Sequence, residues 1–461
     1  MSFPAYESYK ETGIEWLREV PTHWDLSRLG FEAWVRARLG WKGLKAEEYV
    51  DAGYIFLATP NIKGRRIDFE NVNYITRKRY EESPEIKLRV GDVLLAKDGS
   101  TLGTVNVVRR LPSEATVNSS LAVITPHARL DSLFLFYLFQ SSYIEHTIQL
   151  LKGGMGVPHL FQDDLNKFAI PIPPLSEQAE IVAFLERETA KIDALVSEQQ
   201  RLIELLKEKR QTVVSHAVTK GLDPQAPMKD SGVVWLGEVP EHWSVAPLKR
   251  FVSVLSGFAF PSDGFSSDLL DTRLLRGVNI GVGSVRWEDV VYWSRREGDQ
   301  LEDWELRVGD VVLGMDRPWI ADGVRVARLT DEDVPCLLLQ RVASLRPSEH
   351  LLPDYLVHLL EGNAFYHHCI PEMTGVSVPH ISSGQIGDFL VAMPPIDEQA
   401  RILEHANELA AGVKSLTAAT QTAIDLLRER RSAVVSAAVT GKIDVRRFVE
   451  ADTPVLEVVA A

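Results

Sequence analysis

Cysteine is scarce in this sequence, and patterns that mark secreted or membrane proteins are missing. Cys336 and Cys369 are the two cysteines among 461 residues, and neither belongs to a CxxC pair. They exclude a disulfide framework and favour reduced thiols. No run approaches the ~18 apolar residues of a membrane span, and residues 1–10 lack the apolar region of a signal peptide. We therefore expect a cytoplasmic protein with no membrane partner.

Positive charge is also in short supply. The chain has 50 Lys and Arg against 64 Asp and Glu, a net charge of −14. This balance argues against a histone-like binder of polyanions, although it leaves room for a protein that meets DNA through local patches. Nucleotide-binding signatures are absent too, because no G-x-G-x-x-G loop follows a strand. Composition alone therefore indicates a soluble globular protein with several domains.

One long amphipathic stretch organises the chain. After Pro173-Pro174, Ser176 is a candidate N-cap and Glu177 suits the first turn of a helix. An apolar stripe then recurs at helical spacing; it comprises Ile181, Phe184, Leu185, Ile192, Leu195, Leu202, Leu206 and Val213. A helix over Glu177–Thr219 is roughly 60 Å long, too long and too polar for a globular core. The stripe therefore needs a partner.

A second copy of this stretch supplies the partner. Pro394-Pro395 and Glu398-Gln399 repeat Pro173-Pro174 and Glu177-Gln178, and a second helix is predicted over Glu398–Thr440. Such a long period indicates duplicated domains rather than a solenoid. Two interpretations remain: each helix packs on its own domain, or the two helices form an intramolecular coiled coil. We favour the coiled coil.

The segments upstream are repeated as well. Thr12–Trp24 is echoed by Ser231–Trp243, and the Trp residues there form either an aromatic clamp or a stacking surface for bases. Other echoes are K-L-R-V-G-D with E-L-R-V-G-D and G-V-P-H-L with S-V-P-H-I. Short β-rich runs between them are typical of a mixed α/β module; those of the first copy are Tyr54–Ala58, Asn71–Thr76, Gly91–Ala96 and Thr104–Val108. One helical segment is predicted over Ser132–Leu151.

This ordered, duplicated set of motifs resembles the specificity subunit of type I restriction–modification systems. The pattern is G-x-x-W-L-G-x-V-P-x-H-W, P-H-[LI], P-P-[LI]-x-E-Q and a long helix, and it covers the chain to about Arg447. The first copy departs from it at Arg18, where the second copy has Gly237. The resemblance implies a non-catalytic subunit that reads a bipartite, asymmetric DNA target. It also implies two methyltransferase subunits docked on the helices, with endonuclease (translocase) subunits joining them. S-adenosylmethionine, ATP and Mg²⁺ are expected on those partners, and no cofactor or metal on this chain.

The implied fold class is α+β. Two tandem α/β target-recognition domains are joined by two long antiparallel helices that form an intramolecular coiled coil, with a pseudo-twofold internal repeat. The predicted boundaries are 1–170 for the first recognition domain, 171–221 for the first helix, 222–391 for the second domain, 392–444 for the second helix and 445–461 for a tail. A protein-interaction scaffold with two peptide-binding modules is the alternative function.

Candidate DNA contacts follow from charge. Residues 26–111 contain 16 Lys and Arg against 11 Asp and Glu, whereas residues 245–346 contain 13 against 16. Phosphate contacts supply affinity and base-edge contacts supply sequence preference, although charged loops are often merely solvated. The candidates are Lys63, Arg65, Arg66, Arg77, Lys78, Arg79, Lys97 and Ser100 in the first module, and Arg273, Arg276, Arg295, Arg296, Arg317 and Trp319 in the second. The two basic clusters of the first module are expected to flank one hairpin, and the backbone at Gly99, Gly103 and Gly153-Gly154 either approaches a phosphate or forms plain turns.

Overall fold

The computed structural model describes residues 3–38, 44–152, 158–321, 323–373 and 379–448. It divides into two compact units, of which the first comprises Met1–Gln200 with Gln421–Ala461 and the second comprises Arg201–Thr420. Each unit contains one sheet-rich module, the beginning of one long helix and the end of the other. Among the described residues, no helix is both long enough and apolar enough to span a membrane.

The first module carries a four-stranded and a three-stranded sheet. Its strands are β1 (Tyr9–Glu11), β2 (Glu19–Pro21), β3 (Asp25–Arg28), β4 (Ala33–Arg36), β5 (Tyr54–Leu57), β6 (Asn73–Ile75), β7 (Val93–Ala96), β8 (Val105–Val107), β9 (Ala115–Val117), β10 (Leu121–Pro126) and β11 (Ala169–Ile172). Its helices are α1 (Leu29–Glu32), α2 (Thr59–Ile62), α3 (Arg77–Glu81), α4 (Ser132–Phe139), α5 (Ser142–Leu151) and α6 (Gln162–Asn166), followed by the long helix α7 (Leu175–Lys220). The sheet orders are β4-β10-β7-β8 and β6-β5-β9, and β5 runs parallel to β9. The predicted β-rich runs are confirmed, since they fall on β5, β6, β7 and β8.

The second module repeats this arrangement. Its strands are β12 (Met228–Asp230), β13 (Glu238–Pro240), β14 (Ser244–Pro247), β15 (Val252–Ser256), β16 (Thr272–Leu275), β17 (Val291–Trp293), β18 (Val311–Gly314), β19 (Trp319–Ile320), β20 (Gly323–Val324), β21 (Val326–Arg328), β22 (Cys336–Leu338), β23 (Val342–Pro347) and β24 (Leu390–Met393). Its helices are α8 (Pro353–Glu361), α9 (Asn363–Cys369), α10 (Ser383–Asp388) and the long helix α11 (Ile396–Val439). The orders β15-β23-β18-β21 and β17-β16-β22 match the first module. The internal repeat is therefore a repeat of topology as well as of sequence.

Strand β7 shows why a run such as VLLA is apolar throughout. Its side chains alternate between two faces, and both faces are covered. Val93 and Leu95 join the core that contains α4, while Leu94 and Ala96 join the core shared with the three-stranded sheet. All four residues are fully buried, so no polar position interrupts the strand.

A buried aspartate lies beside the central strand in each module, but its arginine comes from different strands. In the first module Arg36 of β4 donates to Asp92 at 2.8 Å, and both side chains are almost completely buried. In the second module Arg346 of β23 donates to the matching Asp310 at 2.7 Å. Strand registers place Leu255 where the first module has Arg36. Neither carboxylate is left without a cation, as burial of a charge requires.

Two helix predictions need correction. Helix α7 begins at Leu175, so Ser176 lies inside the first turn and is not the N-cap. The single helix predicted over Ser132–Leu151 is two helices, α4 and α5, because the chain breaks at Gln140 and the Ser141 side chain caps the second helix through Ile144 N. A hydroxyl that satisfies free amides at a helix start favours such a break.

The long helices pack together as the coiled-coil prediction requires. In the first unit, the start of α7 and the end of α11 share one core, and Arg431 Nε donates to Asp193 Oδ1 at 3.0 Å. Arg187 of α7 meets Phe448 beyond the end of α11, so the helices run in opposite directions. In the second unit, the end of α7 and the start of α11 share the core. The predicted α+β fold class, with two modules and two long helices, is confirmed.

The apolar stripe is covered in part. Ile181, Phe184, Leu185 and Ile192 are buried, whereas Leu195 is 50% exposed and Leu202 is 37% exposed. The stripe is therefore buried over its first half, while these two leucines stay partly exposed.

Candidate nucleic-acid interface

The segment Lys63–Arg66 is an exposed loop tip that follows α2. All four residues are exposed, whereas Ile62 and Ile67 on either side are buried. Within the described residues its three cations have no ion-pair partner. The tip lines a cleft of about 350 Å³ in the first unit. Free, exposed guanidinium and ammonium groups on a rigid base are suited to phosphates and base edges.

The second basic cluster, Arg77–Arg79, begins helix α3. Arg77 and Lys78 are exposed, but Arg79 pairs with Glu82 at 2.8 Å and with Glu48. These hydrogen bonds, that to Glu82 first, raise the pKa of Arg79. The prediction that the clusters flank a hairpin is wrong, because Lys63–Arg66 lies in the connection between β5 and β6 and the second cluster follows β6.

The turn after β7 contains Lys97 and Ser100. Ser100 is exposed, while Lys97 is largely covered and lies 3.5 Å from Asp98 Oδ2. Asp98 is also hydrogen-bonded to the ring of His159. In the second module His380 Nδ1 lies 2.6 Å from Asp316 Oδ1 in the same way. The P-H motif therefore fastens this turn to the segment that precedes α6 or α10.

Backbone amides in this turn are already occupied. Gly99 N donates to Pro158 O at 2.9 Å, and Gly103 N donates to Ala96 O at 2.9 Å. Both glycines have positive φ, +76° and +89°, which glycine adopts without strain. Neither amide is free to donate to a phosphate, so the plain-turn interpretation fits these two glycines. Gly153-Gly154 lies outside the described residues.

Three of the candidate arginines in the second module bind other residues of that module. Arg273 stacks over the Trp287 ring at 4.5 Å and donates to Glu332 O at 2.9 Å. Arg276 binds both the carbonyl and the carboxylate of Asp289. The third, Arg295, pairs with three acidic side chains, namely Asp299, Glu302 and Glu305. Hydrogen bonds to Asp299 and then to Glu305 raise the pKa of Arg295.

The remaining candidates divide into exposed cations and a packed tryptophan. Arg296 and Arg317 are exposed and have no ion pair within the described part of the chain. Arg317 adopts φ +45° and donates its N–H to Pro379 O at 2.7 Å. Trp319 contacts Phe365 and Tyr366 at ring distances of 5.7 and 5.1 Å. The structure therefore leaves fewer free cations in the second module than charge counting indicated.

The repeated Glu-Gln pairs have structural roles that sequence reasoning missed. Gln178 accepts from Asp131 N at 2.8 Å, and Gln399 accepts from Leu352 N at 2.9 Å. Each amide thereby ties the start of a long helix to the start of α4 or α8. The signal in the sequence was that Gln178 and Gln399 occupy matching positions of the repeat. The sequence alone does not show whether a glutamine is buried or exposed.

One tryptophan of each repeat forms a buried clamp. Trp24 and Trp243 are 0% and 1% exposed, so bases cannot stack on these two, whereas Trp16 and Trp235 are 45% and 39% exposed and for them the stacking alternative stays open. A Cβ on Gly441 would approach Pro21 and Trp24, and one on Gly221 would contact Trp243. The glycine at the end of each long helix therefore packs closely against the clamp of its own unit.

Comparison with known proteins gives consistent matches. Residues 44–205 match the family model described as "Type I restriction modification DNA specificity domain". The type I restriction enzyme MjaVIII specificity subunit of Methanocaldococcus jannaschii is 26% identical over 452 residues, which cover 97% of this chain and 99% of that protein. The EcoAI specificity subunit of Escherichia coli is 30% identical over 52% of this chain and 40% of its own length.

Solved structures share the fold. A chain from a study of "complex assembly and conformational transition of the type I R-M system" aligns with a TM-score of 0.65 and 19% identity, covering 91% of this chain and 98% of that one. The HsdS subunit from Thermoanaerobacter tengcongensis aligns with a TM-score of 0.50 and 19% identity, covering 94% and 99%.

Proposed function

We propose that this chain, which is similar over nearly its whole length to a specificity subunit of a type I restriction–modification system, confers DNA sequence specificity by reading a bipartite, asymmetric DNA target. The observation that carries the proposal is the repeat of one module topology with different exposed side chains. Two modules of equal architecture suit two half-sites, and different surfaces suit different bases. An asymmetric target follows from that difference.

We further propose that the long helices hold the partner subunits. Among the exposed leucines of the long helices, two pairs are equivalent through the repeat: Leu195 (50%) with Leu416 (45%), and Leu205 (50%) with Leu426 (60%). Each unit thus contains one leucine of each kind, Leu195 and Leu426 in the first and Leu416 and Leu205 in the second. Matching apolar surfaces suit two copies of one partner, which supports two methyltransferase subunits, with endonuclease subunits joining that core.

Chemistry in this proposal belongs to the partners. S-adenosylmethionine, ATP and Mg²⁺ bind to the methyltransferase and endonuclease subunits, and this chain supplies recognition and assembly in the cytoplasm. The DNA contacts proposed for this chain are the exposed cations Lys63, Arg65, Arg66, Arg77 and Lys78 of the first module, with Arg296 and Arg317 of the second.

Exchange of one whole module tests the proposal. The segment from Leu26 to Phe168 is replaced by the corresponding module of a relative, and the chain is co-expressed with its methyltransferase subunits in a host that lacks adenine methylation. Methylome sequencing should show one half-site changed and the other retained. A simultaneous change of both half-sites would contradict two independent readers. The peptide-binding alternative instead requires that methylation show no dependence on this chain's modules.

A further inference from the structure

The loop tips of the two modules are built on the same base. In the first module the side chain of Asn61, 8% exposed, accepts from Ala58 N at 2.8 Å and donates to Asn71 O at 2.8 Å. The Asn61 carbonyl also accepts from Asp68 N at 2.9 Å. One asparagine therefore closes the loop with both its side chain and its main chain.

Asn279 performs the same task in the second module. It is 1% exposed, accepts from Arg276 N at 3.0 Å and donates to the carbonyls of Arg286 and Asp289 at 2.9 and 2.8 Å. Its carbonyl accepts from Arg286 N at 2.7 Å. In both modules this main-chain bond joins residues seven positions apart, 61 to 68 and 279 to 286, so the enclosed loops have equal length.

A second tie comes from the four-stranded sheet. Asn106 of β8 donates to Ile62 O at 3.1 Å, and Arg325, directly before the matching β21, donates to Ile280 O at 3.1 Å. Ile62 and Ile280 are buried at 0% and 2% exposure. The entry to each loop is thus fixed by an apolar side chain and by a donor from the same edge of the sheet.

The tips held by this base differ in chemistry. Lys63–Arg66 reads K-G-R-R and is exposed throughout, whereas Gly281–Ser284 reads G-V-G-S and has short side chains. Arginine donates two parallel hydrogen bonds to guanine O6 and N7 in the major groove. In the second tip Gly281 is buried and Val282 is half-buried, and the amides of Gly281 and Gly283 donate to Ser284 O and Val326 O. The exposed residues that can approach base edges there are Gly283 and Ser284. Equivalent hydrogen bonds at the base therefore hold two loop tips with different side chains.

We propose that Lys63–Arg66 and Gly281–Ser284 are equivalent base-reading tips, one for each half-site, and that Asn61 and Asn279 are their positioning residues. Arg65 and Arg66 recognise guanine in the half-site of the first module. The inference rests on the proposed function and deepens it, because it assigns sequence recognition to four residues in each module rather than to the whole surface.

Exchange of the tip alone provides the first test. Lys63–Arg66 is replaced by Gly-Val-Gly-Ser in the full chain, which is co-expressed with its methyltransferase subunits, and methylated sites are mapped. We expect altered bases in the first half-site and an unchanged second half-site. A folded variant that methylates the original sequence overturns the inference. If the unmodified complex itself shows no sequence preference, the proposed function fails, which is a distinguishable result.

Arg66→Lys provides the second test and leaves the base of the loop untouched. The charge is kept but the two parallel hydrogen bonds to guanine are lost, so preference at one base pair should fall by about tenfold. If base preference is unchanged in both this variant and the matched Arg65→Lys, the tip contacts phosphates and the base-reading role is overturned.

The positioning role has its own matched pair. Asn61→Ala should relax the first half-site only, and Asn279→Ala the second only, with the melting temperature measured for each. A merely structural asparagine would lower the melting temperature and total methylation without changing base preference, and that outcome overturns the positioning role.

Discussion

The indole Nε1 of Trp24 donates a 3.0 Å hydrogen bond to Glu177, whereas the matching Trp243 Nε1 has no hydrogen-bond partner among the described residues. Glu177 also accepts from the Tyr6 hydroxyl at 2.6 Å and lies 2.8 Å from His23 Nε2. The two clamps therefore have similar sequences but unequal bonding.

This difference predicts unequal costs of mutation. Glu177→Ala removes a buried carboxylate that serves three donors and should lower the free energy of unfolding by about 3 kcal/mol. The matched Glu398→Ala loses a 2.7 Å contact with exposed His242 and should cost about 1 kcal/mol. Thermal unfolding of both variants measures the difference. Equal melting temperatures would show that the additional bonds to Glu177 contribute nothing net.

Buried tyrosines predict loss of stability in alkali. Burial raises the pKa of Tyr143 to about 12, and its hydroxyl donates to Ala169 O at 2.7 Å. Because the folded pKa is raised, the stabilisation is complete below the unfolded pKa of about 10 and is lost as pH rises towards 12. The expected slope is about 1.4 kcal/mol per pH unit for this residue. Unfolding of Tyr143→Phe from pH 9 upwards should be less steep by about one proton, and an identical slope would contradict the assignment.

Free and paired cations should respond differently to mutation. Reversal of Lys63, Arg65 and Arg66 to Glu should weaken DNA binding and reduce the slope of log K against log salt by up to about 3. The control Arg295→Gln removes a cation bound by three acidic side chains, so stability should decline while the salt slope stays the same. Titrations of duplex DNA at several salt concentrations distinguish the two. A reduced slope for the control would mean that pairing in the fold does not exclude DNA contact.

Exposed leucines on the long helices predict a stoichiometry. Leu195→Glu with Leu426→Glu alters the apolar pair of the first unit, and native mass spectrometry should then detect one bound methyltransferase subunit instead of two. The matched double variant Leu205→Glu with Leu416→Glu should lose the other copy. Because these side chains are 45–60% exposed, melting temperatures should change little. Two bound methyltransferase subunits in either variant would show that these subunits dock on another surface.

Local patterns in the sequence predicted the repeat, the long helices and four of the eleven strands of the first module, because each depends on residues close together in the chain. Pairings between distant residues were not predictable in this way. The occupied amides of Gly99 and Gly103 depend on where Pro158 and Ala96 lie, and the pairing of Arg295 depends on a turn that brings Glu305 beside it. Charge counting treats Arg295 and Arg296 alike, yet only the fold shows that the second is free of ion pairs in the described chain.

The two arginines that neutralise Asp92 and Asp310 also constrain which recombinants between the genes of such chains encode a stable fold. A crossover that combines the β15 segment, with Leu255, and the β10 segment, with Thr125, leaves a buried aspartate with no cation, a defect of about 3–5 kcal/mol. The reciprocal product places Arg36 and Arg346 against one carboxylate. Viable recombination is therefore expected at the module borders, where the repeated frame supplies homologous sequence and each Arg–Asp pair stays intact.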